Sequence, residues 1–430
     1  MSRPPHKTLR HALRGRRGSR RAANHDEVTA QGDGHGHGHG EPDGLITDPA
    51  EFSALIHHVR EIGCFAYDTE FIGEESYWPR LCVIQIATRD RVALIDPLAV
   101  TELSALWDLL ADPSIEKIVH AGAQDLEPVV RHLGREPASV FDTQIVAGFL
   151  GMPYPLGLRA LVEAFTGTRL GKALTFTRWD VRPLSAQHRR YAADDVRFLP
   201  SIAQRMREML TERGVERWAR AECDAVFSRE NLSFHPESVL TRLIGNRTFR
   251  PREVGALREL VLFREQAAER HDLPPRTFLR DDVMLRLAQD HPKDADGLDR
   301  IKGLPRPVIA AHGAEILDAI ARGHAEPGPK VTQTPEETPG ERFLIDGLWS
   351  LTCARCHAHG VDPALVGTRR RLAPIILAHL AGHEIPDSEL LAGWRRELIG
   401  EWLLTFLSKG VEAAFRFDGA LRDGDARGQS

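Results

Sequence analysis

Residues 64–73, CFAYDTEFIG, constrain this chain more than any other stretch. The run is apolar enough for a buried strand, yet it carries two carboxylates, Asp68 and Glu70. Side chains at i and i+2 of a strand share a face, so the two acids project together from a core element. Burying like charges is costly, and an apolar strand seldom carries such a pair without a partner for it. A second pair stands in LSAQHRRYAADDVRFL, where Tyr191 and Asp195 are four residues apart and share a helix face. Three carboxylates and a phenol make a cage suited to a hard divalent cation, Mg²⁺ or Mn²⁺, which takes oxygen ligands. A metal pair ~3.5–4 Å apart is one way to cleave phosphodiesters. The pattern predicts a nuclease.

A further ligand is expected at Asp125. KIVHAGAQDLEPVVRHLG reads as a buried strand running into an amphipathic helix, with Asp125 near the helix start. That is the C-terminal edge of a sheet, where α/β sites are usually built. Taken alone, Asp125 is equally a helix N-terminal acid favoured by the dipole. The surrounding order supports an α/β domain. LITDPAEFSALIHHVRE predicts a short strand and a helix capped near Asp48. CFAYDTEF, LCVIQIAT and RVALIDPL predict a meander, TELSALWDLLAD a helix, and FDTQIVAGFLG and LRALVEAFTG further helices. Pro200 should interrupt the helix carrying Asp195. Clustered strands followed by strand–helix alternation predict a mixed sheet with helices on both faces.

Length and charge bound the rest. A chain of 430 residues, 42% hydrophobic and 27% charged, can bury two or three cores. No apolar run approaches the ~18 residues of a membrane span. Cys64, Cys82, Cys223, Cys353 and Cys356 are odd in number and scattered, which fits a reduced cytoplasmic setting better than a disulfide framework. Net charge is −5, but residues 1–24 hold eight Lys/Arg and no acid, leaving 48 basic against 61 acidic residues. Nucleic-acid contact by the folded part must therefore use local patches and metal ions. The first 44 residues lack any hydrophobic period and end in GDGHGHGHGEPDG. They are expected to be a disordered, RNA-attracting tail, although the basic stretch also loosely resembles a transit peptide. There His35, His37 and His39 form either a weak Zn²⁺ or Ni²⁺ tract or a solvated linker.

The ordered blocks YDTEF, SYWPRLCVIQIAT, VALIDPL, HAGAQDLE, FDTQIVAGFLG and YAADDV resemble the ribonuclease D family, in the tyrosine-bearing branch of the DEDD exonucleases. The likeness is dense over about 45–212. It implies a ribonuclease-H-like mixed-sheet α/β exonuclease domain at 45–212, followed by two small all-α, HRDC-type domains. The implied boundaries are a connector at 213–245, an HRDC domain at 246–326 carrying LPPRTFLRDD and IKGLP, a linker at 327–340, a second helical domain at 341–415 and a disordered tail at 416–430. The family's Y-x₃-D spacing selects Asp195 over Asp194 and Tyr191 over His188, which lies seven residues before Asp195. By the family mechanism Asp68, Glu70, Asp125 and Asp195 hold two divalent ions, and Tyr191 orients the attacking water. Arg242, Arg247, Arg250 and Arg252 are candidate phosphate contacts, though a solvated surface is an equal reading.

The implied activity is metal-dependent 3′→5′ exoribonuclease action on RNA, in 3′ processing of tRNA precursors, by a cytoplasmic monomer. The alternatives are a DNA 3′→5′ exonuclease on the same fold and a non-catalytic RNA-binding scaffold. Because all five site residues precede residue 213, a chain cut after about 215 is expected to keep cleaving unstructured RNA. Cys353-Ala-Arg-Cys356-His357 matches a c-type haem attachment pattern. Attachment requires export, and no export signal is visible, so neither haem nor zinc is expected there.

Overall fold

The computed structural model describes residues 44–171, 177–328 and 337–409, and the backbone of 414–417 and 421–424. The His/Gly tract with His35, His37 and His39, and most of the proposed 327–340 linker, lie outside the described residues. The described chain forms two compact units. One holds residues up to Glu70, 81–233 and those from 337; the other holds 71–80 and 234–328.

The larger unit begins with β1 (Leu45–Ile46) and α1 (Pro49–Ile62). Asp48 caps α1 by accepting from the amides of Ala50 at 2.8 Å and Glu51 at 3.1 Å. Gly63, at φ 73°, ends the helix in a left-handed turn that glycine adopts without strain. β2 (Cys64–Ile72), β3 (Arg80–Ala87) and β4 (Val92–Ile95) follow, then α2 (Ser104–Ala111), β5 (Glu116–Val119), α3 (Ala123–Leu133), β6 (Val140–Asp142), α4 (Thr143–Phe149) and α5 (Leu158–Thr166). The sheet order is β1-β4-β3-β2-β5-β6. β3 and β4 run antiparallel, whereas β1·β4, β2·β5 and β5·β6 are parallel, so the sheet is mixed. β6 is a strand within a segment that reads as wholly helical from sequence. It is three residues long, and Asp142 ends it by capping α4.

Alternation along β2 assigns the two faces. Phe65 and Tyr67 join the main core with Leu55 of α1 and Leu106 of α2. Ala66 packs instead with Ala87, Ile118, Val196, Leu199 and Ala203. The last three of these belong to α6 (Ala186–Arg197) and α7 (Leu199–Arg213), which meet at Phe198 with Pro200 in the first turn of α7. Helices therefore cover both faces. By the same period Asp68 and Glu70 point to the face that α6 covers.

α8 (Glu216–Val226) and α9 (Arg229–Leu232) complete this part of the larger unit. The smaller unit is helical: α10 (Pro236–Ile244), α11 (Pro251–His271), α12 (Pro275–Phe278), α13 (Asp281–Asp290), α14 (Ala295–Arg300) and α15 (Arg306–Ala325). α11 and α15 cross in backbone contact, since a Cβ on Gly255 would stand 2.1 Å from the Gly323 carbonyl oxygen. Only glycine fits that crossing.

The C-terminal helices α16 (Pro339–Ala358), α17 (Pro363–Val366), α18 (Arg369–Leu380), α19 (Gly393–Arg395) and α20 (Glu401–Lys409) do not form a core of their own. Leu348, Cys356, Ile375, Trp394 and Leu403 share one cluster with Phe149 and Val215. Glu222 of α8 accepts from Trp394 Nε1 at 2.7 Å and from both terminal nitrogens of Arg395 at 2.7 Å. Gly148 accepts from the Asp362 amide at 2.8 Å. A cut after about 215 removes Glu222 and these helices and so strips part of the core that Phe149 and Val215 share. Residues 414–417 and 421–424 pair as antiparallel strands, where the sequence reading places a disordered tail from 416.

Candidate active site

Parallel pairing aligns Cys64 with Glu116, Phe65 with Lys117 and Ala66 with Ile118. β5 ends at Val119, so the last residues of β2 run past its end. Asp68 and Glu70 occupy that overhang, and α3 starts beside it. Asp125 is the third residue of α3. The Thr69 hydroxyl donates to Asp125 Oδ1, tying the strand to the helix. Tyr191 and Asp195 stand one turn apart on α6, and the phenol hydrogen-bonds Asp195. The structure thus brings all five sequence-predicted residues into one electrostatic neighbourhood within the larger unit.

Their ionisation reports that crowding. Asp125 is buried, and Asp68, Glu70 and Asp195 are half-buried. Burial, then the charges of Asp125, Asp195 and Glu70, hold the Asp68 carboxyl well above the usual range. Burial, Asp195 and Asp125 push Glu70 up to about 8. Burial, Asp194 and Asp125 push Asp195 up to about 7 against the Tyr191 hydrogen bond. Burial raises Asp125 to about 6, with the Thr69 hydroxyl opposing. The charges acting most strongly on these acids are all negative. Burial and the nearby carboxylates push the Tyr191 phenol up as well, so it is a proton donor throughout the neutral range.

A half-buried set of carboxylates whose strongest charged neighbours are one another fits hard divalent ions, which prefer oxygen donors and would remove that repulsion. Among the described residues, no three acids, histidines or cysteines are already arranged to hold an ion. The Thr69 hydroxyl and the Tyr191 phenol engage Asp125 and Asp195. Asp194 pairs with Arg197 at 3.0 Å, which leaves Asp195 as the helix acid available to the cluster.

Several supporting residues went unassigned in the sequence. Asp142 accepts from the amides of Ala121 and Gly122 at 3.1 and 3.3 Å, and from Gln144 and Ile145 at 2.8 and 3.4 Å. One buried carboxylate therefore fixes both the start of α4 and the turn that launches Asp125. The turn is tight: a Cβ on Gly122 would stand 2.6 Å from Val119 Cβ. On the other side, Trp179 stacks obliquely near Tyr191, ring centres 6.0 Å apart. Arg182 holds that segment, donating to Asp96 at 2.6 and 2.7 Å and to the carbonyls of Trp179 and Cys82 at 2.7 Å. Burial works to raise Asp96, but Arg182 and the Leu98 amide hold it below its usual value. For Asp96 the sequence signal was an acid at the end of an apolar strand run, and for Asp142 an acid opening a segment that reads as helical.

The arginine run lies in the smaller unit, and Arg242, Arg247, Arg250 and Arg252 are all exposed. They are not equivalent. Arg250 is taken up by Glu253, with Nε to Oε1 at 2.6 Å, and Arg247 donates to the Leu243 carbonyl at 2.9 Å. The five cysteines are free thiols. Cys356 is buried in the core on α16, and burial pushes its thiol up to about 12. No described helix is long and apolar enough to cross a membrane.

Comparison with known proteins places these features. Residues 45–211 match the 3′-5′ exonuclease family and residues 253–320 the HRDC domain. A ribonuclease D of Gluconacetobacter diazotrophicus is 34% identical over 362 residues, spanning 83% of this chain and 91% of that protein. The ribonuclease D of Escherichia coli is 30% identical over 374 residues, 85% of this chain and 98% of that one. The crystal structure of E. coli RNase D, described as an exoribonuclease involved in structured RNA processing, aligns with a TM-score of 0.73 at 30% identity. That alignment covers 85% of this chain and 98% of the other.

Proposed function

The chain belongs to the ribonuclease D family, and from that membership we propose that it is a metal-dependent 3′→5′ exoribonuclease. Its substrates are structured RNAs, tRNA precursors first among them, and it releases 5′-mononucleotides as a cytoplasmic monomer. The observation that carries the reading is the cluster of Asp68, Glu70, Asp125 and Asp195 at the overhanging end of β2, joined by the Tyr191 phenol.

In this reading Asp68, Glu70 and Asp195 would hold one divalent ion, and Asp68 with Asp125 would serve a second. When bound, such ions supply an activated water and neutralise charge at the leaving 3′-oxygen. The protein's own part is placement. Thr69 fixes the Asp125 carboxylate, and Asp142 fixes the turn behind it. Tyr191 keeps its proton at neutral pH and so orients the attacking water as a donor rather than removing its proton. Trp179 and Arg182 limit how far that phenol can swing. The structured-RNA preference rests on the description of the E. coli relative. The test is incubation of the protein with a 3′-extended tRNA precursor, with and without Mg²⁺ or Mn²⁺. Shortening from the 3′ end only when metal is present supports the reading.

A further inference from the structure

The helix that carries Tyr191 and Asp195 presents a third polar side chain on the same face. His188 precedes Asp195 by seven residues and Tyr191 by three. At 3.6 residues per turn it lies within about 20° of Asp195 around the helix and roughly 10 Å from it along the axis, with Tyr191 at an intermediate height. Its ring is held in place. Ser185 caps α6, its Oγ accepting from the His188 amide at 3.2 Å and meeting His188 Nδ1 at 2.8 Å. Oγ is the acceptor of the cap, so its own proton goes to Nδ1 and the imidazole proton sits on Nε2. The ring meets Trp179 edge-on, 5.2 Å between centres, against the same indole that flanks Tyr191. Arg189 donates to the Leu184 carbonyl at 2.7 Å and fixes the entry to the helix. Among the described residues Nε2 finds no partner, and it is not a buried atom. An oriented N–H donor therefore opens to solvent beside the site.

We propose that His188 donates from Nε2 to an oxygen of the RNA strand, a phosphate oxygen or a 2′-hydroxyl, within the last few nucleotides before the 3′ end. The proposal rests on the exoribonuclease reading and adds a contact to the same site, on the same helix. Carboxylates that hold cations accept hydrogen bonds and give none, and Tyr191 is committed to the attacking water. The strand therefore needs a donor of its own on this face, and His188 supplies one. The capped, flanked ring has little conformational freedom left to lose on binding. Stacked nucleotides advance about 3.4 Å each, so the offset of roughly 10 Å from Asp195 spans about three of them. Phosphate and 2′-hydroxyl oxygens satisfy the donor alike, and chemical substitution of the RNA separates them.

The experiment measures the affinity of the full chain for 5′-labelled, single-stranded oligoribonucleotides, with the Asp68→Asn change in every arm to prevent degradation. Single methylphosphonate linkages, or single 2′-deoxy sugars, are placed one at a time along the last few nucleotides. One such substitution should cost the protein with His188 about 10-fold in affinity, the size of one hydrogen bond. The additional His188→Leu change should cost about as much on unmodified RNA and respond no further at that position. His188→Gln, which keeps an N–H donor, should restore most of the loss. A response to methylphosphonate assigns a phosphate oxygen and a response to the 2′-deoxy sugar a 2′-hydroxyl; either supports the contact. In otherwise native protein the His188→Leu loss in kcat/KM should fall chiefly in KM. A histidine that serves only to pack the helix would weaken binding of every strand equally and couple to no position. If the responses are identical with and without His188 while native protein still shortens RNA, the contact is refuted and the exoribonuclease reading stands. If native protein shortens no RNA, both fall.

Discussion

Replacing Asp195 with asparagine should stabilise the metal-free protein while destroying its response to metal. Asp195 is pushed from 3.8 to about 7 by burial and by Asp194 and Asp125. Ionising it in the folded chain therefore costs roughly 4 kcal/mol more than in the unfolded chain. A carboxyl raised on folding contributes stability that is complete below its unfolded value and lost as pH rises through its folded one. The native protein in a chelator should accordingly weaken from about pH 4 to about pH 7, whereas the amide of the variant does not titrate. Neighbouring acids keep part of the repulsion, so the expected gain for Asp195→Asn is roughly 2 kcal/mol at pH 8, closing to nearly nothing at pH 4. Millimolar Mg²⁺ or Mn²⁺ should reverse the order. An ion at roughly a hundred times its dissociation constant adds about 3 kcal/mol to the form that binds it. The assay is urea unfolding at pH 4, 6 and 8, in chelator and in metal. A variant no more stable than the native protein at pH 8 in chelator refutes the repulsion argument. Equal metal stabilisation of both proteins refutes the ligand assignment.

Asp68→Asn should abolish nearly all cleavage and leave RNA affinity largely intact, and Tyr191→Phe should cost less because it removes a hydroxyl and no ligand; single-turnover rates beside filter binding would show the opposite order if the roles are misassigned. Glu222→Ala leaves the largely buried Arg395 guanidinium without its carboxylate and should destabilise the larger unit by about 3–5 kcal/mol. Proteolysis of that unit at native pH reads this out, and an unchanged rate would mean the C-terminal helices are dispensable to its core. Neutralising Arg242, Arg247 and Arg252 should flatten the dependence of log RNA affinity on log salt, while Arg250→Ala adds little because Glu253 already engages it. Equal slopes in all variants would remove this face from the RNA-binding surface.

The parts of the structure that were legible from sequence are those set by local period. The two-residue spacing of Asp68 and Glu70 put both acids on one face, and the four-residue spacing of Tyr191 and Asp195 did the same on a helix. Asp48 and Pro200 marked helix boundaries through backbone chemistry confined to a turn. What stayed hidden depends on long-range pairing. Glu222 reads as an ordinary helix acid, and its partners Trp394 and Arg395 lie more than 170 residues further on. The shared core of the C-terminal helices followed from that pairing and could not be seen in either segment. Asp142 was hidden differently, because an acid opening a helix already has a sufficient local reason, and its bonds to Ala121 and Gly122 cross between adjacent strands. β6 was missed because three residues are too few to show a strand period.

Metal-dependent removal of nucleotides from RNA 3′ ends by this carboxylate cluster can be followed directly. The direct measurement follows a 5′-labelled, 3′-extended tRNA precursor with the native protein, with native protein in chelator, and with Asp68→Asn. The expected result is a ladder that shortens one nucleotide at a time from the 3′ end in Mg²⁺ or Mn²⁺, release of 5′-mononucleotides, and no change in the other two reactions. Internal cleavage fragments, undiminished shortening in chelator, or full activity in Asp68→Asn would contradict it.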